Sequence, residues 1–160
     1  MKSLVTFLAY QAVWFAAVIG AGAGLPWPGV LAGVLFVGAM LALSPRRDAG
    51  LRLVFAALVL GVLLDGGLAT MEWLRHAAPA PALFGAPVWI LSLWAAFALT
   101  LTGPMAFLQQ RPVSAFVLGA VFGPLAYWGA ARGWSAVTFA GSPERALIAL
   151  ALGWGVATLT

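Results

Sequence analysis

Residues 51–71 read LRLVFAALVLGVLLDGGLATM, and this stretch decides the fold. Arg52 stands near its start and Asp65 is its one other charge. An α-helix rises about 1.5 Å per residue, so a stretch of this length matches the roughly 30 Å hydrocarbon core of a bilayer. It is apolar all round, with no polar stripe turned to water. Working outward, the pattern recurs. Further spans are predicted at 4–22, 29–43, 88–108, 113–131 and 145–160. Polar or Pro-rich connections separate them: Pro26-Trp27-Pro28, Ser44-Pro45-Arg46-Arg47-Asp48, 72–87, Gln109-Gln110-Arg111-Pro112 and 132–144. The β-barrel pattern of alternating polar and apolar residues is not visible.

Composition agrees. The chain is 64% hydrophobic and 8% charged, against roughly 25% charged in soluble domains. A water-soluble fold would expose large apolar patches. The expectation is an all-α, single-domain polytopic transmembrane bundle of about six helices with the lipid bilayer as its solvent. The sixth span is short, so five helices with a terminal interfacial segment is the alternative. The net charge of +4 is spread singly apart from Arg46, Arg47 and Arg52. That excludes the basic stripe a nucleic-acid backbone needs. Cysteine is absent, which excludes disulfides and thiolate chemistry. Lys2 and the apolar run after it imitate a signal peptide, but Gln11 and Trp14 within the run suit a retained anchor.

Lys2, Arg46, Arg47, Arg52 and Arg111 fall on one side of the predicted bundle, and Arg75, Arg132 and Arg145 on the other. The positive-inside rule then places both termini in the cytoplasm. Trp27, Trp73, Trp89 and Trp134 lie near span ends and read as interfacial anchors. Ala12, Ala16 and Gly20 repeat every four residues, as do Gly29 and Gly33, and Gly119 and Gly123. Such spacing serves close helix packing, either within the chain or against a partner on the Ala12/Ala16/Gly20 face. Gly103-Pro104 and Gly123-Pro124 are expected to interrupt the fourth and fifth spans.

Function is sought among intramembrane polar residues. A charge in mid-helix costs about 2.5–3.5 kcal/mol on insertion scales and marks a functional hypothesis. Asp65 lies six residues from one end of its span, roughly 9 Å deep. Trp94 and Tyr127 fall at a similar depth from the same side, and Arg132 follows Trp128 by one turn, within stacking reach. Glu72 stands two turns beyond Asp65. Asp65, Trp94, Tyr127, Trp128, Arg132 and Glu72, with Gln11 on the first span, are the candidate ligand-binding residues. The structural alternative is that Asp65 merely accepts a hydrogen bond from Tyr127 or the backbone, and that Gln11 bridges helices. His76, the sole histidine, cannot supply a metal site alone. No phosphate loop or catalytic triad is present. No cofactor or metal is expected.

Gln11-Ala12-Val13-Trp14-Phe15, Pro87-Val88-Trp89-Ile90 with Leu93-Trp94 and Phe97-Ala98, and Gly123-Pro124-Leu125-Ala126-Tyr127-Trp128-Gly129 with Arg132-Gly133 form a set. Together with Asp65 they resemble a bacterial family catalogued as domain of unknown function 2878. The resemblance covers most of the chain. Leu101-Thr102 stands where the family pattern has Leu-Asn. The resemblance implies a multi-pass bacterial inner-membrane protein. The residues favour a non-enzymatic protein that binds or moves a hydrophobic, lipid-like molecule. The alternatives are an intramembrane lipid-modifying enzyme with Asp65 as general base, or an assembly factor of a membrane complex.

Overall fold

The computed structural model describes residues 2–78 and 80–159, without the Lys2 side chain. Expectations that rest on the Lys2 side chain, Pro79 or Thr160 lie outside the described residues. Six helices form the body: α1 (Lys2–Gly22), α2 (Trp27–Leu43), α3 (Arg47–Thr70), α4 (Val88–Thr100), α5 (Pro112–Trp134) and α6 (Glu144–Ala157). Three of them, α1, α3 and α5, are long and apolar enough to cross a membrane. Large side chains such as Leu35, Phe55, Leu63, Val113, Phe122 and Ile148 point outward.

The shortest of the six helices is the core. α4 is apolar on every side, and nearly all of it is buried, including Trp89, Leu93, Trp94 and Leu99. A helix of that composition belongs in the interior. It packs against α1, α2 and α3 at once, while α5 and α6 pair with each other. Small residues set the closest approaches. A Cβ on Gly33 would meet Ser92 of α4, and one on Gly29 would meet Ala17 of α1. The Ser92 hydroxyl donates to the Gly29 and Trp89 carbonyls. Gly119 and Gly123 of α5 seat the backbone and ring of Trp154 on α6. These small-residue pairs therefore pack inside the chain. On α1 the α2 contact runs through Ala17, Gly20 meets the turn before Pro28, and Ala12 stays exposed.

Two proline expectations divide. The fourth helix stops at Thr100 rather than running to 108. The Gly103-Pro104 pair follows, and the Met105 amide turns back to the Thr100 carbonyl at 3.0 Å. Proline clashes with the carbonyl four residues back, so the α-helix ends there. A turn of 3₁₀-helix at Ala106–Gln110 bridges to α5. The fifth helix instead runs unbroken through Pro124, held along that segment by Trp154 of α6.

The two long connections are structured. Strands β1 (Leu74–His76) and β4 (Val137–Phe139) pair antiparallel, with His76 opposite Val137. Strands β2 (Ala82–Leu83) and β3 (Ala86–Pro87) form a hairpin. Its turn residues Phe84 and Gly85 both have positive φ, +48° and +88°, the backbone that matches strand twist in a two-residue hairpin. The Phe84 carbonyl packs on Gly66, where any side chain would collide. These strands gather at one end of the bundle, here called the sheet end.

Candidate functional site

Asp65 organises the interior. It lies in a widened π-type turn, Val62–Gly66, within α3. Such turns carry one extra residue and re-aim side chains, often at functional sites. Here the turn puts Asp65 and Gly66 together on the buried face, and Asp65 is fully buried. The Tyr127 hydroxyl donates to both carboxyl oxygens, at 2.7 Å to Oδ1 and 2.8 Å to Oδ2. Trp94 Nε1 donates to Oδ2 at 2.7 Å. His76 Nε2 lies 3.3 Å from Oδ1, a longer contact whose charge depends on the imidazole proton. A carboxyl group offers up to about four acceptor positions, and three side chains are directed at them. The buried carboxyl group is thereby hydrogen-bonded within the protein, as a buried polar group must be.

Each partner arrives by a different route. Gly61, one turn before Asp65, leaves room for the Trp94 indole; a Cβ there would meet ring atom Cδ1 at 2.6 Å. Trp154 stacks on Trp94 with centroids 4.2 Å apart and planes 16° from parallel. Tyr127 projects from α5. His76 comes down on β1, and its ring meets Trp89 edge-on at 5.8 Å. The alignment of Asp65, Trp94 and Tyr127 at one depth is therefore direct contact. His76 was the missed member; its only sequence signal was being a lone histidine close after the acidic span.

The other candidates separate. Glu72 lies past the end of α3 at positive φ, exposed, 3.5 Å from Arg75. It does not share Asp65's face, because the helix has ended before it. Arg132 does stack over Trp128, 5.0 Å from the ring centroid. Both, however, line a separate surface groove of about 350 Å³ beside β4. Trp89 is fully buried, so it is a core residue and not an interfacial anchor.

Beside the Asp65 cluster lies a cavity of about 630 Å³ between α1, α4, α5 and α6. Small-molecule sites typically fall between about 300 and 1,000 Å³. Gln11 and Trp14 line it from α1, Trp94 from α4, Tyr127 from α5 and Trp154 from α6. Asp65 is not on the wall; it sits behind Trp94 and Tyr127. The wall reaches from Trp89 to Thr100 of α4, roughly 16 Å along that helix. Phe7, Phe122 and Leu125, all exposed, mark its mouth between α1 and α5. Those two helices meet at the sheet end, where the Gly22 backbone touches Trp134. Among the described residues, no group of three metal-ligating side chains occurs.

The model of the protein family of unknown function DUF2878 matches residues 3–160. The chain belongs to that family. No curated protein and no solved structure matches the chain. Within the family frame, the motif residues gather in space. Gln11 and Trp14, Trp89 with Trp94 and Phe97, and Gly123 with Tyr127 all face the one cavity. Three separate stretches that carry the resemblance thus contribute to one cavity, with Asp65 behind it, while Trp128 and Arg132 line the other groove.

Proposed function

We propose that this DUF2878 protein is a multi-pass protein of the bacterial inner membrane that binds or moves a hydrophobic, lipid-like molecule. The cavity carries the reading. It is large, predominantly aromatic and aliphatic, and its mouth between α1 and α5 is framed by exposed apolar side chains. Such a mouth opens toward hydrocarbon if the three long apolar helices cross a bilayer. On the positive-inside rule the termini are cytoplasmic and the sheet end faces outward, which puts the Asp65 cluster in the outer leaflet. Asp65 acts as a positioning residue: it holds Tyr127 and Trp94 in the wall. Its oxygens are engaged and set back from the cavity, which counts against a role as general base.

The test is retention of hydrophobic molecules by the purified full chain. Lipid extraction and mass spectrometry are expected to recover a bound apolar species from the parent protein. Ala126→Phe, which projects a ring into the cavity from its wall, is expected to lose it. Equal recovery from both would sink the reading. The absence of cysteine allows single-cysteine labelling to check topology: a thiol at position 48 should react only from the cytoplasm and one at position 141 only from outside.

A further inference from the structure

On α1 the cavity wall includes Phe7, Gln11, Trp14 and Val18. Steps of four, three and four residues put these on one face of the helix. Gln11 is the polar member of that stripe. Phe7 and Phe15, one turn to either side of it, are both exposed. Gln11 therefore stands at the edge of the wall, where the mouth opens between α1 and α5. On the sheet side of it, Trp14 and Phe15 bridge to Trp134 of α5, with ring centroids 5.7 and 5.6 Å apart.

The Gln11 amide has no hydrogen-bond partner among the described residues, so it does not bridge helices. It is half-buried. The unpaired side-chain polar atoms that are sealed off are the indole nitrogens of Trp89 and Trp154, and the amide is not among them. An occupant of the cavity can therefore reach it. Hydroxyls elsewhere on the wall are engaged: Tyr127 donates to Asp65, Thr100 to the Phe97 carbonyl at 2.6 Å and Thr158 to the Ala115 carbonyl at 2.8 Å. Tyr10 packs its ring against Phe36 and Phe97. An amide turned to hydrocarbon without a partner is costly, and polar side chains inside spanning helices mark functional positions by default. Among the described residues, no Lys, Arg, Asp or Glu lines the wall. A charged group of either sign would sit there without a countercharge. The amide, in contrast, offers both donor hydrogens and an acceptor oxygen.

Resting on the ligand-binding reading above, we infer that the occupant is an uncharged chain molecule with a hydrogen-bonding head, a hydroxyl, carbonyl or amide, received by the Gln11 amide at the mouth of the cavity. Its hydrocarbon packs on the aromatic wall of Trp14, Trp94 and Trp154.

Equilibrium binding of tritiated hexadecanol, hexadecane, ionised palmitate and hexadecyltrimethylammonium to the detergent-purified full chain tests this, with Ala126→Phe as the background for micelle partition. Hexadecanol is expected to bind roughly fivefold more tightly than hexadecane, the factor one net hydrogen bond supplies. Both charged chains are expected to bind more weakly than the alcohol. Gln11→Met keeps an unbranched side chain and removes the amide. It is expected to bring hexadecanol down to hexadecane and to leave hexadecane unchanged, which also reports that the cavity persists. A preference for the alcohol that survives Gln11→Met overturns the assignment to Gln11. Equal binding of alcohol and hexadecane by the parent overturns the polar-head inference and leaves the cavity reading intact. Tightest binding of either charged chain overturns the inference in favour of a charged occupant. No binding of any probe above background overturns the cavity reading itself. The parent comparison decides even if Gln11→Met fails to fold.

Discussion

The face of α4 turned to α2 and α3 differs from the face turned to α5 and α6. On the first, Gly33 and Gly61 let neighbouring helices close on Ser92 and Trp94, and the buried Asp65 has three side chains directed at it. On the second, large rings stand around a cavity. If the bundle sits in lipid as proposed, apolar side chains gain little from leaving it, and close contact depends on small residues and polar links. Where both are present the structure is sealed. Where bulky aromatics stand between the helices, space remains for another molecule, even though Gly119 and Gly123 bring α5 close to Trp154 on the same wall. The sealed side therefore sets the geometry, and the open side leaves the space in which the proposed ligand would sit.

Removing the acid should damage the sealed side most. Asp65→Ala strips Tyr127, Trp94 and His76 of their shared acceptor. Unpaired buried polar groups are costly, so a loss of about 3–5 kcal/mol is expected. Thermal unfolding in detergent measures it. Asp65→Asn keeps one carbonyl acceptor and should lose clearly less. Equal losses from the two would mean that the cluster does not act through its acceptor.

Gly61 and Gly67 lie on the same helix and give a sharper contrast. A methyl group on Gly61 runs into Trp94, whereas one on Gly67 meets nothing within 4 Å. Gly61→Ala should destabilise by about 1–3 kcal/mol through overpacking and shift tryptophan fluorescence as Trp94 leaves Asp65. Gly67→Ala should be neutral or stabilise by up to about 1 kcal/mol, since alanine is the better helix former. The contrast fails if both behave alike. His76→Ala should cost less than Asp65→Ala, about 1 kcal/mol, because its contact is the longest of the set at 3.3 Å.

These residues were legible in the sequence to different degrees. The depth of Asp65, Trp94 and Tyr127 could be read because helical rise is fixed, so position along an apolar span translates into height. Height says nothing about rotation, which is why the Trp128–Arg132 pair seemed to belong and does not, and Glu72 falls away because α3 ends at Thr70 before reaching it. His76 was hidden because its placement depends on β1 pairing with β4, a non-local match between two connections that read as loops. The π-type turn left no compositional mark. The two prolines show the same limit: Pro104 follows Gly103 at a free helix end and breaks the helix, while Pro124 is clamped by α6 and does not. Local chemistry was the same in both, and the neighbour decided.

The smallest stability effect is expected on the open side, and it separates the two faces most cleanly. Ala126 lines the cavity beside Tyr127. On the sealed face an added side chain would displace backbone or ring atoms, as at Gly61 and Gly33. Ala126 lines a space of about 630 Å³, and the added ring is expected to enter that space with little displacement of the packed core. Ala126→Phe should therefore change the unfolding free energy by less than about 1 kcal/mol, below the usual cost of overpacking. Binding should nevertheless be lost, because the ring takes the volume a ligand needs. A large destabilisation would mean that the cavity wall is as tightly determined as the Asp65 side. The two faces would then be parts of one rigid core, with no room set aside for a guest.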